Sequence, residues 1–310
     1  MILIEEHTGF AQQHSGCVAT IGKFDGVHLG HQAILRQVRD KAEQLGLPSL
    51  VILMEPHPEE FFAASSQLCP ARLNNLEEKL AALESMQVEY VYLLRFDLAL
   101  SQLSAEDYIK SILVDGLGIA AFIVGSDFRF GNQRKGDFTM LKESGAHFGF
   151  DVIETASCEV GGQRVSSTYI RAQLEAGNFP LVEQLLGRPY AMTGEVVEGR
   201  KLGRDLGFPT CNVNLHRQRI PLHGVYVCEV KLGTELIPAA VNIGYRPTIT
   251  SIGNALLEAH LLDFDGDLYG QRLEVVFRKK IREEEKFDEL ETLIRQIAID
   301  VQQTREYFSN

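Results

Sequence analysis

The sequence is poor in the features that would mark a secreted, membrane or nucleic-acid-binding protein. Its five cysteines, Cys17, Cys69, Cys158, Cys211 and Cys228, are scattered, odd in number and free of any C-x-x-C pair. That argues against a disulfide framework or a zinc site and reads as small buried thiols. No apolar run approaches the roughly eighteen residues a membrane helix needs. Basic residues are in deficit: 30 Lys and Arg stand against 42 Asp and Glu, a formal net charge of -12. General binders of nucleic acid carry basic or basic–aromatic surfaces, so no nucleic-acid partner is expected. Glu5 and Glu6 stand where a secretory leader would be basic, so a cytoplasmic protein with no membrane partner is expected. Internal repeats and low-complexity tracts are also lacking.

What is present suits a globular protein of two domains: 310 residues, 45% hydrophobic and 23% charged, are more than one compact core usually takes. Val18 to Ile21, Leu50 to Met54, Tyr90 to Leu94 and Ala121 to Val124 read as short buried strands. Helical patterns at Gln32 to Leu45 and Leu76 to Met86 lie between them. That alternation predicts a parallel α/β sheet, with ligands beyond the carboxyl ends of its strands. Helices are expected at Ser167 to Ala176 and Leu181 to Leu186, the second stopped by Gly187-Arg188-Pro189. The boundary is placed there, giving domains 1–186 and 187–310. Beyond it, strand-like alternation at Val225 to Val230 and Leu273 to Phe277, with Asp265-Gly266 as a hairpin-type turn, predicts a small antiparallel β-barrel. Phe287, Leu290, Ile294, Ile297 and Val301 mark one face of a C-terminal helix, with Glu283 to Glu285 at its N-terminus.

An acidic protein that handles nucleotides must neutralise phosphate locally, with a few cations, backbone N–H groups and Mg²⁺. Gly22-Lys23-Phe24-Asp25-Gly26-Val27-His28-Leu29-Gly30-His31 follows a strand and opens an amphipathic helix. A bare H-x-x-H is commonly structural, but glycines on either side admit a ligand to a helix start that already attracts phosphate. Ser167 and Thr168 lie at another helix start, and Arg171 one turn later offers a charge-assisted fork. In the second half, Gly199-Arg200-Lys201-Leu202-Gly203-Arg204 is a cationic glycine loop, followed by Pro209-Thr210-Cys211-Asn212. Thr210 and Asn212, two apart in a strand, share a face and offer hard oxygen ligands that suit Mg²⁺. Leu256, Glu258, His260 and Leu262 share a face in the same way, so Glu258 is expected among apolar neighbours that would raise its pKa. Arg278, Lys279, Lys280 and Arg282 read as a solvated strand end.

The Gly22–His31 segment resembles the G-x-F-D-G-x-H-x-G-H signature of the nucleotidylyltransferase superfamily, in the form found in bacterial FAD synthetases. Glu55-Pro56-His57-Pro58, Gly125-Ser126-Asp127-Phe128-Arg129-Phe130-Gly131 and Arg164-Val165-Ser166-Ser167-Thr168-Tyr169-Ile170-Arg171 are similar to further segments of that family. Met54 departs from its usual Phe. The second half resembles riboflavin kinase at Pro209 to Asn212 (with Cys211 for the usual Ala), at Asn242 to Thr248, and at Glu258 to Phe264 with Asp267 to Gly270. The resemblance implies a Rossmann-like nucleotidylyltransferase domain followed by a kinase barrel. It implies riboflavin, FMN and ATP as substrates and Mg²⁺ as cofactor. It implies roles in adenylyl transfer for Gly22, Phe24, Asp25, His28, Gly30, His31, Asp127, Arg164, Ser167, Thr168 and Arg171. In the kinase it implies Gly199, Lys201, Gly203, Thr210 and Asn212 on Mg-ATP, and Glu258 as base. One retained activity, or a flavin-binding regulator, are the alternatives.

Overall fold

The structure, a computed structural model, describes residues 1–5, 9–63, 69–199, 206–217, 219–245 and 255–309. The chain divides into two compact units: residues 1–69 with 79–166, and residues 70–78 with 167–310.

The first unit is built on a parallel sheet of β1 (Ile2–Ile4), β2 (Cys17–Gly22), β3 (Ser49–Glu55), β4 (Tyr90–Arg95), β5 (Ile119–Val124) and β6 (Asp151–Glu154), in the order β1-β4-β3-β2-β5-β6. β2 to β5 are the strands expected from sequence. β1 and β6 are additional edge strands whose residues are mostly exposed or half-buried. Both faces of the central strands are covered, which is why their sequences read as continuous apolar runs. Cys17, Ala19 and Ile21 pack with Leu50, Ile52 and Phe122 on one side. Val18, Ala121 and Ile123 meet Val38 and Ala42 on the other. Those last two come from α2 (Leu29–Leu45), which buries Leu35, Val38 and Ala42 at helical spacing and ends on Gly46 at φ 63°. α1 (Phe10–Gln13), α3 (Pro58–Phe62), α4 (Leu76–Ser85), α5 (Leu98–Gln102), α6 (Ala105–Asp107) and α7 (Phe138–Phe148) complete the crossovers, with a π-helical stretch Tyr108–Gly116 continuing α6. From β2 the chain steps to β3 and β4 on one side and later to β5 on the other. The order therefore reverses between β2 and β5, the crevice where open α/β sheets take ligands.

The second unit holds α8 (Ser167–Glu175), α9 (Phe179–Leu186) and a closed barrel of β9 (Ala191–Val197), β10 (Cys211–Asn214), β11 (Gly224–Leu232), β12 (Glu235–Tyr245), β13 (Ala255–Leu261) and β14 (Arg272–Arg282), in the order β10-β13-β12-β11-β14-β9. In the first unit, β7 (Glu159–Val160) and β8 (Gln163–Arg164) form a separate two-stranded ribbon. Rows of register partners fill the barrel: Val213, Leu257 and Ile243 in one, Ala259, Val241 and Tyr226 in another, all fully buried. Residues 70–78 group here because Glu78 makes a buried ion pair with Arg217 and accepts from Thr193 N at 2.6 Å. Leu73 O also accepts from Tyr190 Oη at 3.0 Å and Arg217 Nη1 at 3.1 Å.

Three expectations change. Asp265-Gly266 is not a hairpin turn, because β13 pairs with β10 and β12 while β14 pairs with β11 and β9. The closing helix, α10 (Leu290–Ser309), begins after Phe287. Glu283 to Glu285 lie in the segment before it, where Glu283 pairs with Lys280 at 2.5 Å. α10 is fixed to the barrel by Ile297 and Val301 against Ala240 and Leu262, and by buried Asp300, whose Oδ2 accepts from Arg282 Nη2 at 2.7 Å.

Candidate active sites

At the carboxyl end of β2 the chain must turn sharply to enter α2. It does so through left-handed conformations at Phe24 (φ 46°), Gly26 (φ 88°) and Val27 (φ 39°). The two non-glycine positions are held by burial of Phe24 and Val27, each 1% exposed. Gly22 leaves room for the Phe24 ring, which a β-carbon there would meet at 3.1 Å, and Gly30 does the same for His28 at 3.1 Å. His28 is the N-cap of α2, its Nδ1 accepting from His31 N at 3.3 Å. A neutral imidazole that accepts at Nδ1 carries its proton at Nε2. The His28 and His31 rings stack at 3.7 Å and 17°, and Phe24 lies 4.9 Å from His31. Buried Nδ1 of His31 has no hydrogen-bond partner. Burial, and then the charges of His28, Lys79 and Lys23, hold the His31 imidazole well below its ordinary value. Asp25, 2% exposed, completes the loop.

β3, next to β2, ends at Glu55. His57 then caps α3, with its N–H donating to Glu60 Oε2 at 3.1 Å. Lys79, missed in the sequence because it sits in an ordinary amphipathic helix pattern, is fully buried. Its Nζ lies 3.1 Å from His57 Nε2 and 3.8 Å from Glu55 Oε2. Asp127 follows β5, and its exposed carboxylate pairs with Arg164 Nη2 at 2.9 Å. An exposed pair of this kind contributes little stability and can trade partners for phosphate. Ser167, Thr168 and Arg171 open α8, which groups with the second unit, so the structure does not gather them with the histidines in one unit. Arg171 Nε donates to Ala71 O at 2.5 Å.

In the barrel, Asn212 on β10, Glu258 on β13 and Asn242 on β12 are register partners in one cross-strand row. They therefore present side chains to the same face. Asn242 entered the sequence reading only as part of a motif. The row corrects the expectation for Glu258: Leu257, Ala259 and Leu261 form the buried face of β13, while Leu256, Glu258 and His260 take the half-exposed one. Glu258 is flanked by two amides rather than by an apolar wall. Leu262 lies beyond the strand. Asn212 is 7% exposed, and a β-carbon on Gly199 would stand 1.9 Å from its Nδ2, so Gly199 makes the recess in which that amide sits. Thr210 is exposed just before β10, and Pro209 O lies 2.8 Å from His260 Nδ1. Cys211 between the two oxygen donors is inert, since burial pushes its thiol up to about 11. Lys201, Gly203 and the Arg246-Pro247-Thr248 segment lie outside the described residues.

A parallel sheet with imidazoles at a capped helix start by its switch point, and a closed barrel with a carboxylate between two amides, define the class: a two-part transferase of nucleotide phosphate groups. A family model described as FAD synthetase matches residues 10–169, and one described as riboflavin kinase matches residues 186–308. Among curated relatives, the bifunctional riboflavin kinase/FMN adenylyltransferase of Pseudomonas fluorescens is 49% identical over 94% of this chain and 93% of its own. That of Escherichia coli K12 is 47% identical over 94% and 93%. A solved structure described as a macrolide-efflux protein from Streptococcus pneumoniae superimposes with a TM-score of 0.80 at 29% identity, covering 98% of both chains. Among the described residues no helix is long and apolar enough to cross a membrane. The chain belongs to the family of bifunctional riboflavin kinase/FMN adenylyltransferases. Both of its family models imply the use of ATP.

Proposed function

We propose that the two transfers of this bifunctional riboflavin kinase/FMN adenylyltransferase run at separate sites, adenylyl transfer in residues 1–186 and phosphoryl transfer in residues 187–310. The observation that carries the reading is the row Asn212–Glu258–Asn242, which sets one carboxylate between two neutral amides on a half-exposed strand face. Glu258 takes the proton of the riboflavin 5′-hydroxyl as that oxygen attacks the γ-phosphorus of ATP. The bond from γ-phosphorus to the bridging oxygen breaks, giving FMN and ADP. The oxygen donors of Thr210 and Asn212, one exposed and one seated in the Gly199 recess, fit a hard cation and would hold Mg²⁺. When bound, Mg²⁺ supplies positive charge to the ATP phosphates. Gly199 acts through Asn212, and Lys201 and Gly203 are assigned to the phosphates on their sequence pattern.

In the other domain an FMN phosphate oxygen attacks the α-phosphorus of ATP and pyrophosphate leaves, so no protein nucleophile is needed. His28 and His31, with Arg164, stabilise phosphate charge, and Ser167, Thr168 and Arg171 are assigned to phosphate on their sequence pattern alone. Gly22, Phe24, Asp25, Gly30 and Asp127 shape the nucleotide site. The substrates are small molecules, no nucleic acid takes part, and the enzyme works in the cytoplasm. Chromatography of products from riboflavin, Mg²⁺ and ATP tests the assignment. Glu258→Ala is expected to lose FMN formation yet convert supplied FMN to FAD, and His28→Ala/His31→Ala to stop at FMN. Loss of both activities in either folded variant would refute two separate sites.

A further inference from the structure

A fully buried ammonium is costly unless it is paired, and Lys79 is 0% exposed. Gly22, the last residue of β2, is in register with Leu53 of β3, so Glu55 and His57 follow directly beside the loop that carries His28 and His31. Lys23 of that loop pairs with Glu59 of α3 at 2.6 Å, which ties the two segments together. Lys79 enters from α4 and meets His57 Nε2 at 3.1 Å and Glu55 Oε2 at 3.8 Å. We propose that Lys79 is a positioning residue of the adenylyl-transfer site, whose buried ammonium orients His57 and keeps a fixed positive charge beside the His28–His31 stack.

The inference rests on the assignment of adenylyl transfer to this unit. An ammonium has donors only, so His57 Nε2 accepts from it and is unprotonated. Burial first, then the charge of His28 and then that of Lys79, oppose protonation of His31 and hold its imidazole below its ordinary value. Two imidazolium rings would repel at the 3.7 Å stacking distance, whereas neutral rings stack. The charged groups acting on His31 are His28 on its own helix, Lys23 in the preceding loop and Lys79; Asp25 shares that loop, Glu59 of α3 pairs with Lys23, and Glu55 at the end of β3 and His57 after it face Lys79. Arg95 of β4 is in register with Glu55. Of these, Lys79 is the fully buried cation, and solvent screens it least. Lys79 thus adds to burial in keeping His31 a neutral ring stacked on His28.

The test uses the full chain with Lys79→Met, which removes the charge, Lys79→Gln, which keeps a donor to His57, and Lys79→Arg, which keeps the charge. Circular dichroism identifies the folded variants, and riboflavin phosphorylation is measured in each as an internal control. In Met and Gln variants kcat for supplied FMN is expected to fall about tenfold to hundredfold, with KM for ATP little changed. By imidazole NMR, His31 should titrate nearer its ordinary 6.5. Lys79→Arg should leave that titration low. A folded Met or Gln variant that adenylylates FMN at the wild-type rate with an unmoved His31 titration overturns the proposal. If wild type itself makes no FAD from FMN, the adenylyl-transfer reading fails; the His31 titration, which needs no turnover, still decides what Lys79 does.

Discussion

Replacing Gly199 by alanine isolates the recess in the kinase site. The new β-carbon would stand 1.9 Å from Asn212 Nδ2 and 2.6 Å from its Cγ. Ordinary non-bonded contact is about 3.5 Å, so one of the two must give by about 1.6 Å. The Asn212 side chain is the group that must move, because its backbone is held between β9 and β13. A shift of that size is large for a group in a reacting constellation, where about 1 Å can cost roughly a hundredfold in rate. The overpacking itself should cost about 1–3 kcal/mol, which leaves the protein folded. In an assay of FMN formation from riboflavin and ATP, Gly199→Ala should lose about a hundredfold in kcat/KM. Conversion of supplied FMN to FAD by the same preparation should be unchanged. A Gly199→Ala enzyme that phosphorylates riboflavin at the wild-type rate would refute the reasoning.

Other consequences concern stability and the first site. Burial holds His31 well below its ordinary 6.5, with further lowering from His28, Lys79 and Lys23. Below that ordinary value the unfolded chain takes the proton before the folded one, so stability must decline as pH falls from about 7 towards the folded pKa. His31→Gln should flatten this slope in thermal melts, and a wild-type–variant gap in Tm that is constant with pH would contradict it. Arg282→Met leaves Asp300, 4% exposed, as a buried carboxylate without that partner. It should lower stability by about 3–5 kcal/mol in urea unfolding, whereas Asp263→Asn, which breaks an exposed pair with Arg305, should change little. Gly30→Ala presses a methyl group against the His28 ring at 3.1 Å. It should slow FAD formation from FMN and leave FMN formation intact, and equal effects on both steps would count against the separation.

The sequence was legible where burial repeats locally. β2 to β5, covered on both faces, show as apolar runs, and α2 shows in the spacing of Leu35, Val38 and Ala42. β1 and β6 escaped because edge strands with mostly exposed or half-buried residues carry no such run. Glycine-rich loops betrayed the His28–His31 site because tight turns and close approaches restrict residue choice. What periodicity could not supply was the partner. Asn242 lies beside Glu258 only through the β12–β13 register, and Lys79 looks like any helix lysine until β3 is placed against it. Alternation put Glu258 on the right strand and on one face with Leu256 and His260, but that face is half-exposed rather than apolar and buried, since period two alone does not say which face is buried. The grouping of residues 70–78 with the barrel depends on Arg217, 139 residues from Glu78 along the chain, and no local pattern encodes it.

The central claim, two reactions at two independent sites, is tested most directly by mixing variants. Glu258→Ala and His28→Ala/His31→Ala are each incubated with riboflavin, Mg²⁺ and ATP, alone and together in one vessel, and FAD is followed by chromatography. Separately, the first should make no FMN and the second should accumulate it. Together they should make FAD after a lag, as FMN released by one protein is adenylylated by the other. A mixture of folded variants that makes no FAD, while wild type does, would contradict two self-sufficient sites.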